Sequence, residues 1–236
     1  MPVGVLAHRG VRVALAVAGV VVVLLVLAQL LLPVLAARRV SDRVARYGTV
    51  KSAHVSAFPA VELLWERADS ASVTVATLAA SPSQIVSLLR EARGVSRMIV
   101  TADAATLRVP GLPRGLTVSD VRMDKHGSAI QASATLTQQQ LDAALPAGFH
   151  IEPVASGGGQ VEARASGGFF GLQVSLSVLV RPLGGRLVAE PHGLPLAGLA
   201  TIVLVSDSHL LVHSVGLRVL RSQPLTYGLS LSAILR

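Results

Sequence analysis

The sequence predicts an α+β fold in which an N-terminal transmembrane helix precedes a large antiparallel sheet and two short helices. Three observations lead to this prediction. An uncharged apolar run covers residues 13–32, an alternation of apolar and polar side chains begins at Val50, and helix-start patterns occur at Ser81-Pro82 and Thr137. Alternation with period two is typical of strands, whereas a capping residue before an apolar stripe is typical of helices.

The apolar run Val13 to Leu32 predicts a membrane span. It contains seven Val, seven Leu, four Ala, Gly19 and Gln29. Twenty helical residues rise about 30 Å, which is the thickness of the hydrocarbon core of a bilayer. The Val and Leu side chains together favour insertion by roughly 4 to 8 kcal/mol. A buried helix of a globular domain is the less favoured interpretation, because the rest of the chain could not enclose so apolar a helix.

The same run could instead belong to a cleavable secretory signal. Arg9 and Arg12 form a basic stretch before it, and Val34-Leu35-Ala36 resembles a cleavage site. A cleavable signal has an apolar stretch of about 7 to 15 residues, which is shorter than this one. The length therefore favours an uncleaved anchor.

The chain is predicted to have three parts: a signal-anchor segment at 1–37, a basic juxtamembrane linker at 38–49 and one domain at 50–236. The linker predicts a short amphipathic helix in which Val40, Val44 and Tyr47 share a face. Its arginines either contact lipid phosphates or are simply solvated. Two arginines precede the span and four follow it, so the positive-inside rule alone would keep the domain in the cytoplasm.

The first part of the domain predicts two strands and a helix. Val50 to Phe58 and Ser70 to Thr77 alternate, and Pro59 breaks the pattern between them. Ser81 is a favourable N-cap and Pro82 suits the first helical position. The helix that they start is expected to end at Gly94.

The middle of the domain predicts a further strand, a hairpin and a second helix. The strand covers Met98 to Val109, and the hairpin joins Leu116–Met123 to Ala129–Leu136 around His126-Gly127. Thr137 with Gln140 forms a capping-box pattern that predicts a short helix at Gln138–Leu145.

The last part of the domain predicts strands separated by glycine turns. They are Phe149–Val154, Gln160–Ala165, Phe169–Val180, Arg186–Glu190, Leu210–Leu220 and Leu225–Leu235. Residues 191–198 fit a loop or a helical turn, and 199–205 fit a helix or a strand.

Charge and composition narrow the function classes. The chain has 21 basic and 13 acidic residues, for a net charge of +8. The arginines are scattered, and no nucleic-acid-binding motif accompanies them, so nucleic acid is not an expected partner. A tethered basic domain would more naturally meet anionic lipid headgroups, although a solvated surface without a partner explains the charge equally well.

The apolar composition is aliphatic rather than aromatic. One Trp, two Tyr and four Phe are the only aromatic residues among 236, and there is no cysteine, which excludes disulfides and Cys-ligated metals. Walls of Val, Leu and Ala would suit acyl chains, which need shape and dryness rather than hydrogen bonds. A closed aliphatic core without a cavity explains the same composition.

No catalytic or metal-binding pattern appears. The Gly157–Gly159 run lacks the Lys-Ser or Lys-Thr of a phosphate loop. Asp207-Ser208-His209 has the residue types of a triad, but chain neighbours cannot converge as triad members do. His209 and His213 have no third ligand nearby. We therefore expect no enzyme activity, no cofactor and no metal.

Three runs near the start of the domain resemble a known family. They are Val55-Ser56-Ala57-Phe58-Pro59, Leu63-Leu64-Trp65 and Ser70-Ala71-Ser72-Val73-Thr74-Val75. Together with the closing strands 212–219 and 225–235, they resemble the LmeA-like phospholipid-binding proteins of the actinobacterial cell envelope. The resemblance implies an elongated, curled sheet around helices, like that of tubular lipid-binding modules. It also implies export of the domain.

Two functional hypotheses follow. In the first, a plasma-membrane protein with a single span holds acyl chains in an aliphatic groove on the extracytoplasmic side, with phospholipid or the membrane surface as its partner. It would support cell-envelope lipid or lipoglycan assembly, with an envelope-biosynthesis protein as a candidate partner. The alternative is a tethered structural or interaction domain with a closed core and a protein partner. The residues predicted to face lipid are Phe58, Leu63, Leu64 and Trp65, although Trp65 also fits an ordinary core position.

Overall fold

The computed structural model describes residues 29, 31–58, 63, 67–109, 112–169, 172–192 and 201–236. Three helices lie in this part of the chain: α1 at 31–44, α2 at Pro82–Glu91 and α3 at Gln138–Ala144. The first six strands are β1 (Gly48–Ser56), β2 (Ala68–Ala80), β3 (Val95–Leu107), β4 (Leu116–His126), β5 (Ala129–Thr137) and β6 (Phe149–Gly157). The other six are β7 (Gln160–Phe169), β8 (Leu172–Leu183), β9 (Arg186–His192), β10 (Ile202–Val205), β11 (Leu210–Ser222) and β12 (Leu225–Leu235).

The strands form two sheets. A seven-stranded sheet has the order β1-β2-β3-β4-β5-β12-β11, and a five-stranded sheet has the order β10-β9-β8-β7-β6. Strands β2 and β3 are parallel, because α2 carries the chain back between them, and every other pair is antiparallel. The last two strands return to the first sheet, so the five-stranded sheet is an insertion between β5 and β11.

The predicted fold class is wrong in its architecture. The sequence predicted one curled antiparallel sheet on two short helices behind a transmembrane helix, whereas the structure is mostly strand and has two sheets. Alternation of apolar and polar residues identifies a strand but not the strand it pairs with. The sequence therefore contains no local pattern that would predict the division into two sheets. No helix within the described ranges is both long and apolar enough to cross a membrane. The run at 13–32 lies almost entirely outside those ranges.

Individual elements agree well with the sequence predictions. Both capping boxes are present: Ser81 Oγ accepts from the Gln84 N–H at 3.3 Å, and Thr137 Oγ1 accepts from the Gln140 N–H at 3.2 Å. The hairpin of β4 and β5 around Gly127 is also confirmed. Local signals of this kind depend on a few neighbouring residues, which is why they could be predicted.

One face of the seven-stranded sheet carries the core. Val73, Val75 and Ala102 form a buried cluster with Val40 and Val44 of α1 packed on it. A second cluster surrounds Val86 and Leu89 of α2, and a third includes Ala105, Val118 and Leu136 beside α3. The opposite face is rich in hydroxyls, as in the cross-strand row Ser52, Thr74, Thr101, Arg122, Ser133 and Ser230. This two-sided pattern is expected of a sheet with one buried face.

Two glycine turns of the five-stranded sheet dock on the edge strand β11. The Val212 N–H donates to Gly185 O at 2.8 Å, and the Val215 N–H donates to Gly159 O at 2.9 Å. Both glycines have positive φ, +80° and +79° respectively, which side chains rarely adopt. The turns therefore satisfy backbone groups that an open sheet edge would leave unpaired.

Candidate functional site

An open groove of about 480 Å³ lies between α1 and the edge strand β1. Its lining residues on α1 are Pro33, Val34, Ala37, Arg38 and Ser41, and those on β1 are residues 50–55. We call this the α1–β1 groove. Its volume is within the range of about 300 to 1,000 Å³ that is typical of small-molecule sites.

The fold holds both walls of the α1–β1 groove in place. Strand β1 is the outer strand of the seven-stranded sheet and pairs only with β2 among the described strands. Helix α1 is fixed because Val40 and Val44 pack against the cluster of Val73 and Val75. A short turn at 45–47 joins the helix to the strand, and 33–41 of α1 and 50–55 of β1 border the same groove.

The groove walls are largely aliphatic. Val34 and Ala37 contribute from the helix, and Val50, Ala53 and Val55 contribute from the strand. Val34 is 51% exposed, so a ligand in the groove would remove apolar surface from water. Such burial contributes roughly 25 cal/mol per Å², without requiring any hydrogen bond from the ligand.

The groove is bordered by three basic side chains, those of Arg38, Lys51 and His54. Lys51 Nζ donates to Asp103 Oδ2 at 2.5 Å and is therefore engaged with a carboxylate. Arg38 and His54 are exposed and form no ion pair with a described residue. A guanidinium group can give two parallel hydrogen bonds to a phosphate, so Arg38 is suited to a phosphorylated headgroup.

A second open groove of about 420 Å³ lies on the hydroxyl-rich face, beside β11 and β12. Ser133, Thr135, Ser156 and Ser230 contribute hydroxyls to it. A Cβ at Gly216 would lie 2.7 Å from Ser230 Oγ, so the small residue keeps this groove open. Apolar side chains, including Leu217, Leu220 and Leu229, also line it, but its walls are more polar than those of the α1–β1 groove, which therefore suits an acyl chain better.

Of the residues predicted to face lipid, the two that the structure describes, Phe58 and Leu63, line neither groove. Phe58 follows β1 and is 80% exposed, with its N–H donating to Asp69 Oδ2 at 2.8 Å. Leu63 is half-buried, and Leu64 and Trp65 lie outside the described residues. Their contact with lipid remains a prediction.

The sequence interpretation missed the helical wall of the groove. Val34 and Ala37 were assigned to the anchor segment and Arg38 to a solvated or phosphate-contacting linker. The missed signal was helical spacing, because Val34, Ala37 and Ser41 lie three and four residues apart, on the same stripe. The predicted face of Val40 and Val44 is confirmed by their packing on the core.

The titratable residues of the described chain do not form a metal-binding cluster. No group of three His, Cys, Asp or Glu residues there could hold a metal ion. The His209 N–H donates to Asp207 Oδ1 at 2.8 Å, and His213 lies exposed on β11. Two buried groups are perturbed: desolvation lowers the pKa of Lys125, and desolvation, Glu152 and Asp142 raise the pKa of Tyr227.

Comparisons with protein-family models, with curated proteins and with solved structures found no match for the chain.

Proposed function

We propose that the chain is a membrane-anchored phospholipid-binding protein that holds an acyl chain in the α1–β1 groove. The observation that supports this most strongly is the combination of aliphatic walls with Arg38, which borders the groove and forms no ion pair with a described residue. Acyl chains need a dry, shaped surface, and a phosphate needs a cation nearby. In this role the protein would support cell-envelope lipid or lipoglycan assembly, as the resemblance to the LmeA-like family implies.

The position of the groove supports access from a bilayer. Val34 follows the end of the apolar run at Leu32 by two residues, which is about 3 Å of helix rise. A lipid leaving the membrane surface would therefore meet the groove at once. Arg38 lies one helical turn farther along the same wall.

We infer from the apolar run at 13–32 that the protein is anchored in the plasma membrane by a single span, with the domain on the extracytoplasmic side. The resemblance supports export, whereas the arginines after the span oppose it. A phosphatase reporter that is active only outside the cytoplasm, fused after Arg236, tests this orientation. An active fusion is expected, and an inactive but expressed fusion would reverse the proposed topology.

Photo-crosslinking of the full chain tests lipid binding. The protein is reconstituted in nanodiscs that contain a phospholipid with a photoreactive group in its acyl chain, and labelled peptides are mapped. We expect label on β1 at 50–55, the strand wall of the groove. Ala37→Trp should fill the groove and remove most of this label. Ala45→Trp, at an exposed position outside the groove, is the matched control.

The alternative function, a tethered domain that contacts only proteins, makes a different prediction in the same experiment. Label would then be confined to the apolar run, and Ala37→Trp and Ala45→Trp would give identical maps. That outcome would contradict the lipid-binding proposal.

A further inference from the structure

One end of the seven-stranded sheet concentrates arginines. A single cross-strand row marks this end, formed by Ser56, Ser70, Arg97, His126, Ala129, Ile234 and Leu211. Arg67 lies just before β2, Arg93 just before β3, and Arg236 just after β12. We call this the basic end and define it by Arg67, Arg93, Arg97, His126 and Arg236.

The positive charge of the basic end is only partly offset within the described chain. Its four arginines are exposed, and none forms a salt bridge with a described carboxylate. Two acidic residues lie nearby in the described chain, Asp69 and Asp207, which accept backbone N–H groups from Phe58 and His209, and their two negative charges are outnumbered by the four arginines. The net positive potential of this end is therefore available to an anionic partner.

Backbone contacts make the basic end rigid. The Gly127 N–H donates to Ser96 O, and the Leu235 N–H donates to Ser128 O, each at 2.8 Å. Arg93 donates to the backbone oxygen of Arg236 and lies 3.5 Å from His209 Nδ1. These contacts hold the ends of β3, β4, β5 and β12 together, so the arginines present one fixed surface.

The direction of α1 places the predicted membrane at this same end. Because only the turn at 45–47 separates α1 from β1 and both border one groove, we infer that α1 folds back along β1 and that its start points towards Ser56, at the basic end. The apolar run at 13–32 leads directly into that start. Phe58, 80% exposed, and Ile234, 38% exposed, add apolar side chains to the same end. Arginines beside exposed apolar groups are typical of surfaces that meet lipid headgroups.

We propose that the basic end docks on anionic phospholipid headgroups. These headgroups belong to the same bilayer in which the apolar run at 13–32 is anchored, so this inference rests on the proposed membrane anchoring. Docking would hold the sheet upright on the membrane and fix the mouth of the α1–β1 groove at headgroup level. Each arginine near an anionic surface contributes favourably and independently of lipid identity, so negative charge is the feature recognised.

The test uses the full chain in nanodiscs of neutral lipid or of neutral lipid mixed with anionic lipid. Because the chain has no cysteine, a single Ser128→Cys can carry an environment-sensitive probe at the basic end. Ala79→Cys, exposed near the opposite end of β2, carries the control probe. We expect anionic lipid to shield the probe at 128 from an aqueous quencher but not the probe at 79, and added salt to reverse the shielding.

A charge-removal variant makes the test specific. Replacing Arg67, Arg93 and Arg97 by Gln should weaken docking roughly 100-fold, given the contribution of an arginine near an anionic surface. The matched control replaces Arg108, Arg114 and Arg221 by Gln, which removes the same charge from exposed positions outside the basic end. Equal shielding in neutral and anionic nanodiscs, or equal effects of the two triple variants, would overturn the proposal.

Crosslinking separates this inference from the proposed function. If docking is absent while β1 still takes up lipid label in an Ala37-dependent way, the basic end has no role at the bilayer but the groove still binds lipid. If docking occurs without groove label, the protein meets the membrane surface and the lipid-binding proposal fails instead.

Discussion

The hydroxyl of Tyr227 donates a hydrogen bond of 2.8 Å to Gln138 Oε1 and so joins β12 to α3. The amide of Gln138 then donates to Asp142 Oδ1 at 2.9 Å and to Ile151 O on β6 at 2.7 Å. Asp142 also lies 2.8 Å from His150 Nδ1. This short chain of polar contacts connects the closing strand of the seven-stranded sheet with the first strand of the five-stranded sheet.

Tyr227→Phe tests the importance of that connection. Tyr227 is only 2% exposed, so removing its hydroxyl leaves Gln138 Oε1 with one partner fewer at a partly buried site. We expect the free energy of unfolding to fall by about 1 kcal/mol, as measured by urea denaturation of the full chain in detergent micelles. Tyr47→Phe is the control, because the Tyr47 hydroxyl has no hydrogen bond within the described chain. Equal stability of the two variants would contradict the structural role of the connection.

Gly185→Ala tests the docking of the five-stranded sheet on β11. At Gly185, with φ +80°, a Cβ would lie 2.5 Å from Leu211 Cδ2. At its neighbour Gly184, with φ +58°, a Cβ would meet nothing within 4 Å. Gly184→Ala should therefore cost only the left-handed strain, about 1 to 2 kcal/mol, and Gly185→Ala should cost measurably more. Thermal denaturation of both variants measures the difference, which would vanish if the turn did not contact β11.

The sequence predicted elements far better than it predicted their arrangement. The two capping boxes and the hairpin at Gly127 depend on residues a few positions apart, and all three were found. The parallel pairing of β2 with β3 and the division into two sheets depend on contacts between distant segments, for which alternation gives no partner. Cross-strand rows of small residues, such as Ser133 and Ser230, fit several registers equally well.

The candidate site was less predictable than the fold. The composition led to the expectation of aliphatic walls, but Val34 and Ala37 were read as part of a membrane segment because the apolar run continues into them. The groove exists only because α1 folds back along β1, and no local pattern encodes that return. Phe58 was singled out from a short motif, and the structure places it at the basic end rather than in the groove.

Ser81→Ala tests the cap of α2. Ser81 Oγ accepts from the Gln84 N–H, and the Ser81 N–H donates to Gln84 Oε1 at 2.8 Å. Loss of the hydroxyl leaves a helix N–H without its partner, so the free energy of unfolding should fall by about 1 kcal/mol. Ser87→Ala, within the same helix, is the control and should be neutral or slightly stabilising, since Ala favours helices. Urea denaturation of both variants measures the effect, and similar losses would mean that the cap contributes little.

Lys125 is a charge placed among apolar side chains. It is 1% exposed and lies on the core face of β4, between Met98 of β3 and Ile130 of β5 in cross-strand register. Its Nζ donates to Val95 O at 2.6 Å, and no described carboxylate pairs with it. Burial of an ammonium group without a counter-ion destabilises the fold, because water solvates the charged form better.

The pH dependence of stability should reveal this cost. Burial lowers the pKa of Lys125 below its ordinary value of 10.5, so the folded state binds fewer protons at this site than the unfolded chain. The destabilisation that the buried ammonium causes is therefore complete at neutral pH, and it decreases as pH rises through the lowered pKa towards 10.5. Lys125→Arg keeps its charge at every pH, so its free energy of unfolding should fall further below that of the wild type as pH rises. Lys125→Met has no charge to bury, so any excess of its free energy of unfolding over that of the wild type should shrink over the same range. Urea denaturation at stepped pH measures both gaps, and parallel curves for the three proteins would show that Lys125 is solvated.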